Sequence, residues 1–104
     1  MFEAFTVATF RPRLGETFRL GLPGEAQVVD LVLIEATDLS QRPGGGREGD
    51  RPRAPFSLVF RDPGGRHLPQ RIYRLEHADL GAFDLFLVPI GPDAQGMRYE
   101  AVFA

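Results

Sequence analysis

Cysteine is absent, so the chain offers no disulfide, no thiolate metal site and no cysteine nucleophile. Lysine is absent too, and all twelve cationic residues are arginine, a bias that a GC-rich genome explains better than phosphate recognition does. No excess of positive charge exists: 12 cationic against 14 anionic residues leave a formal net charge of -2. That balance removes the global electrostatic case for nucleic acid or an anionic membrane surface as the main partner. The apolar runs Val28 to Ile34 and Phe83 to Ile90 are each broken by an aspartate and fall far short of the ~20 residues of a membrane span. The opening MFEAFTVATFRPR carries an acid at Glu3 and lacks the basic start and continuous apolar stretch of a secretory signal, so the cytoplasm is the expected location. Serine is scarce, and neither Ser40 nor Ser57 stands in a nucleophile elbow. Gly44-Gly45-Gly46 has neither the lysine nor the strand-to-helix setting of a phosphate loop.

What remains is 104 residues with 43% hydrophobic and 25% charged, the balance of one soluble domain spanning 1–104 around a single core. Charge is uneven along it. Residues 41–54 hold Arg42, Arg47, Arg51 and Arg53 against Glu48 and Asp50, are rich in glycine, and have almost nothing apolar to bury. This reads as a flexible loop, longer than the usual connection, able to grip an anion through arginine forks or to order on an acidic partner.

Around that loop the period is mostly two. Thr6 as cap, Val7, Phe10 and Leu14 at near-helical spacing, and Gly15 as a stop predict one short helix, which Pro12 limits and which shrinks further if Thr9 is the cap. From Thr17, Phe18, Leu20 and Leu22 alternate with Arg19 and Gly21, Pro23-Gly24 turns the chain, and the β-branched run 26–39 returns as the second arm of a hairpin. In that run Val29, Leu31 and Leu33 share one face, and Val28, Asp30, Val32 and Ile34 the other. Phe56, Leu58 and Phe60 alternate with Ser57, Val59 and Arg61 up to the turn Asp62-Pro63-Gly64-Gly65. Residues 71–77 and AFDLFLVPI form a hairpin across Ala78 to Gly81, Gly91 to Gly96 make the last turn, and Met97, Tyr99, Ala101 and Phe103 alternate with Arg98, Glu100 and Val102 on a final strand. Six strands, short turns and no helix long enough for a crossover predict an all-β fold, a small antiparallel barrel or two-sheet sandwich of about six strands with one short N-terminal helix.

The chemistry is sparse. His67, His77, Glu76, Asp79 and Asp62 crowd together, but Glu76 and His77 face opposite sides of a strand and the spacing matches no ligand pattern, so no metal or other cofactor is expected. His77 is expected instead to cap its hairpin through turn backbone, with His67 a plain loop residue. Nine phenylalanines and two tyrosines at period two read as core rather than as base-stacking platforms. An apolar excess stands out on the strand 82–90. With Phe83, Leu85 and Leu87 inward, Phe86, Val88 and Ile90 need a second cover, from the N-terminal helix or from another subunit, so this strand is expected to be covered on both faces. The leading reading is a non-enzymatic protein-interaction module that joins itself or another protein through Phe86, Val88 and Ile90 or through a sheet edge. The alternative is a small-ligand binder with Tyr73, His77 and Tyr99 around a barrel mouth.

The segments FSLVF, LPQ, YRLEH, LG, LFLVPI and MRYEAVF, and more loosely TFRPRLGETFRL, resemble a family of small bacterial proteins described as a domain of unknown function. The likeness is carried by core and turn residues; Arg71 departs from it, standing where a small residue is usual. The resemblance implies bacterial origin, a compact β domain without established enzymatic activity, and relatives encoded near tail-collar-like phage structural proteins, hence an accessory or assembly component of a phage-tail-like particle.

Overall fold

A computed structural model describes residues 5–22, 24, 28–39 and 55–103. Arg42, Arg47, Arg51 and Arg53, and with them the predicted basic loop, lie outside the described residues, as does Pro23 of the first turn.

A helix α1 (Val7–Phe10) runs into a 3-10 turn over Arg11–Arg13. Thr6 is the cap: the Thr9 hydroxyl accepts the Thr6 N–H at 3.0 Å, and the Thr9 N–H donates to the Thr6 carbonyl at 2.9 Å. Pro12 sits in the 3-10 turn near its start, where a missing N–H costs nothing. Gly15, at φ 86°, turns the chain out of the helical segment into β1 (Thr17–Gly21). β2 (Val28–Asp38), β3 (Phe56–Asp62), β4 (Arg71–His77), β5 (Gly81–Asp93) and β6 (Gly96–Phe103) follow. Every pairing is antiparallel, and the order β1-β2-β3-β6-β5-β4 closes on itself through β4 and β1. The fold is the barrel, not the sandwich.

The period-two pattern sets the inside. Phe18, Leu20, Val29, Leu31, Leu33, Phe56, Leu58, Phe60, Tyr73, Leu75, Phe83, Leu85, Leu87, Met97, Tyr99, Ala101 and Phe103 are all buried and form one cluster. A barrel of this size is filled by side chains, leaving no lumen. Its two ends are closed by different means. Phe10 drops from α1 onto the rings of Phe18, Phe56, Phe83 and Phe103, with centroids 5.9–6.4 Å away. Two polar clips hold the same segment: Arg13 pairs with Asp79 at 2.9 Å, and Glu16 meets His77 at 2.7 Å. At the other end residues 63–70 pass from β3 to β4, and Leu68 is buried there.

Three local expectations need correction. Residues 91–96 are not all turn: β5 continues through Pro89, Gly91 and Pro92 to Asp93, and only Ala94 and Gln95 turn. A register shift between Pro89 and Gly91 accommodates this, a bulge being one of the places a strand tolerates proline. β3 is buried on both faces rather than alternating, Ser57 and Val59 included. It is paired along its length, with Thr37 and Val102 beside Ser57 and Glu35 and Glu100 beside Val59, and these neighbours on both sides shield short outward side chains. Finally, α1 does not cover the outer face of β5, because its one buried residue, Phe10, is spent on the barrel end. Phe86 and Ile90 therefore stay exposed, and the expectation of a strand covered on both faces does not hold within the chain.

Candidate functional site

Period two on β5 sends Phe86 and Val88 outward, and the bulge after Pro89 leaves Ile90 outward as well. Phe86 is 50% exposed, Ile90 37%, and Val88 half-buried. The three predicted residues thus share one strand face. Register adds residues that reading along the chain missed. Ile72 on β4 stands directly opposite Phe86 and is 63% exposed; Val102, two residues beyond the Glu100 that pairs with Val88, is 60% exposed. Their outward alternation was visible in the sequence, but only pairing brings Ile72 beside Phe86. The next cross-strand pair beyond Ile72 and Phe86 is charged: Arg74 faces Asp84, with guanidinium and carboxylate 3.6 Å apart and both largely exposed. The face is therefore an apolar row beside an opposite-charge row.

The residues of the ligand alternative are not gathered into one site. Tyr73 and Tyr99 are buried near the 63–70 end, and their hydroxyls are engaged by that segment: Tyr99 accepts the Leu68 N–H at 2.9 Å and donates to the Arg66 carbonyl, while Tyr73 donates to the Pro69 carbonyl at 2.6 Å. Burial pushes both phenols above the ordinary pKa of 10. They tie the 63–70 segment down over this end of the barrel. His77 lies at the opposite end, its ring tilted against that of Phe18 with centroids 4.5 Å apart. Its Nδ1 accepts the N–H groups of Asp79 and Leu80 at 3.0 and 3.3 Å, the expected backbone cap of the hairpin. With Nδ1 accepting, the proton sits on Nε2, which donates to Glu16. A shallow depression of about 410 Å³ over β1, lined by Thr17, Arg19, Asp30, Glu76, His77 and Ala78, includes the histidine but neither tyrosine.

Among the described residues no three His, Asp or Glu side chains converge on a point that could hold a metal ion. Asp62 is committed elsewhere: only 4% exposed, it accepts the Gly64 and Arg66 N–H groups at 2.8 and 3.3 Å and so shapes the turn out of β3. His67 is exposed. No described helix is long and apolar enough to cross a membrane.

One carboxylate is perturbed for a clear reason. Asp93, at the end of the β5–β6 hairpin, receives the Arg61 guanidinium through Nε, at 3.1–3.2 Å, and through NH2, and it also accepts the Gln95 N–H at 2.9 Å. These donors favour the charged form and hold its pKa at about 2. A carboxyl depressed on folding contributes stability in full above its unfolded value and loses it as pH falls through the folded one. Asp93→Asn should therefore lower the urea midpoint by a constant amount above pH 4 and by a shrinking amount from there down to about pH 2. Urea titrations of both proteins across that range are the check, and parallel curves down to pH 2 would refute the assignment.

A family model described as Domain of unknown function (DUF6916) matches residues 5–103. No curated protein and no solved structure matches the chain.

Proposed function

We propose that this chain, which belongs to the family described as domain of unknown function DUF6916, is a non-enzymatic protein-interaction or assembly module that uses the outer face of β4 and β5. The observation that carries this reading is the apolar row itself. Ile72 and Phe86 lie side by side, each at least half exposed, and Ile90 and Val88 continue the row along β5. Large side chains set next to one another on a face otherwise free to be polar are the mark of a surface that another protein covers. Among the described residues the barrel interior is filled by side chains, with Phe10 over one end and Leu68 buried at the other. A closed barrel with one apolar outer face suits a component that is covered by a neighbour in a larger assembly. The phage-tail-like role implied by the family resemblance is in keeping with that and belongs to this proposal.

The test compares two tagged baits, the native chain and Phe86→Asp, in lysate of the source cell, with retained proteins quantified by mass spectrometry. We expect a protein held in near-stoichiometric amount by the native bait and reduced at least about tenfold on Phe86→Asp, a buried charge in place of a central aromatic anchor being worth more than 1.4 kcal/mol. Identical retained sets, with both baits folded by circular dichroism, would end this reading.

A further inference from the structure

We infer that the occupant of the β4–β5 face is a second copy of this chain, packed face to face about a two-fold axis that runs parallel to the strands midway between β4 and β5. The inference rests on the interaction reading above and names its partner.

The argument comes from register. In an antiparallel pair, residues directly opposite sit at the same height along the strands, as Ile72 and Phe86 do, and Arg74 and Asp84 do. A two-fold axis along the strands exchanges the positions of β4 and β5 and leaves the height unchanged. Each residue of one copy therefore comes to lie over its own cross-strand partner in the other copy. Ile72 meets Phe86 of the second copy, and Phe86 meets its Ile72; Arg74 meets Asp84 of the second copy, and Asp84 its Arg74. Both rows are satisfied at once: aliphatic on aromatic, cation on anion, twice each. The next row up pairs Glu76 with Ala82, so no like charges meet there either.

The other in-plane axis, running across the strands through the Ile72 and Phe86 row, sets Ile72 on Ile72 and Phe86 on Phe86. It carries Arg74 and Asp84 away from the charged row of the second copy, so that each keeps its partner within the chain and gains no counter-charge across the interface. Complementarity of charge thus selects the axis along the strands. Twisted sheets packed face to face cross at about 30°, which preserves such a match over the two central rows and relaxes it beyond them. Arg74 and Asp84 are 65% and 58% exposed, so both reach outward into the shared plane.

The experiment is sedimentation equilibrium over a micromolar concentration series, with circular dichroism and a thermal melt to show that each variant folds. The native chain should sediment at about twice its monomer mass, and Phe86→Asp as a monomer. Arg74→Asp places two aspartates on the face and Asp84→Arg two arginines. Each alone should stay monomeric at concentrations where the native chain dimerises, with association weakened at least about tenfold by like charges. Mixed together they should form a heterodimer, because every acid of one then lies over an arginine of the other. Recovery on mixing is a gain of association that misfolding cannot mimic. A native chain that stays monomeric throughout, or a mixture that does not associate, overturns the inference. Should the native chain be monomeric while Phe86→Asp still loses a different protein in the lysate experiment, the second copy is wrong and the interaction face stands.

Discussion

Phe10→Ala is expected to lower the unfolding free energy by about 3–5 kcal/mol, the range for removing a fully buried phenylalanine. Phe10 has no exposed surface and touches rings from β1, β3, β5 and β6, besides Phe5 of its own segment at 5.4 Å. Those rings are held by strands of a closed barrel, so they have little freedom to collapse into the space, and the upper half of the range applies. A second effect adds to the first. A helix of four residues has no stability of its own, and Phe10 is its only buried residue. Without that ring the segment keeps the Phe5 ring against Phe83 at 5.3 Å, partly buried Val7, and the Arg13–Asp79 and Glu16–His77 clips, of whose four partners only His77 is buried. Amide exchange should therefore accelerate over residues 7–13 well below the midpoint of global unfolding, while β2 and β3 stay protected. Urea denaturation and hydrogen exchange measure the two parts. A loss under about 1 kcal/mol would mean that the barrel end closes without the plug.

Gly96→Ala is expected to be at least as damaging, about 4 kcal/mol or more, for a reason unrelated to burial of apolar surface. Gly96 opens β6 at φ 152°, and a methyl group there would lie 2.2 Å from the Asp62 carbonyl oxygen, 2.9 Å from its carbon and 3.0 Å from the Pro63 Cα. All three atoms are backbone, so no side-chain rotation relieves the clash. The chain that must yield is the end of β3, where Asp62 pairs with Met97 and its carboxylate organises the turn that leads to the 63–70 segment. Gly81→Ala separates strain from collision: its φ is 80° and nothing lies within 4 Å of the added methyl, so it should cost only the ~1–2 kcal/mol of a left-handed residue. Thermal or urea unfolding of the two variants side by side should show Gly96→Ala well below Gly81→Ala. Equal losses would show that β3 yields without resistance.

Much of this architecture was legible because barrel strands obey a simple local rule. Alternation set Phe18 with Leu20, Val29 with Leu31 and Leu33, Tyr73 with Leu75, and Phe83 with Leu85 on one face of each strand, and each of these is buried. The hairpin across residues 78–80 and the backbone cap by His77 were legible too, since both depend on neighbours within three residues. The partner of that histidine was not. Glu16 is 61 residues away, and only closure of β1 against β4 brings it to 2.7 Å. The placement of the tyrosines was not legible either: Tyr99 is tied to a carbonyl 33 residues distant, at the end of the barrel away from His77, and a hydroxyl so placed looks in sequence like any other on an inward-facing strand position.

The candidate face divides in the same way. Phe86, Val88 and Ile90 announced themselves as apolar residues on the wrong side of a strand, a statement about one segment. That they do not receive α1 as a cover follows from Phe10 being taken by the barrel end, a competition no single segment reveals. That Ile72 joins Phe86, and that Arg74 and Asp84 lie in the row beside them, follows from register between strands.

By itself, then, the sequence determined the all-β class, the six strands, which side of most strands faces the core, and an apolar surplus on β5. These depend on local periodicity and turn chemistry, where each residue's neighbours along the chain suffice. Tertiary structure alone decided that the sheet closes into a barrel, that its two ends are sealed by Phe10 and by the tyrosine-held segment, and that the surplus becomes a face with paired charge. Those outcomes depend on contacts between residues tens of positions apart, whose energies exist only once the strands have found their order.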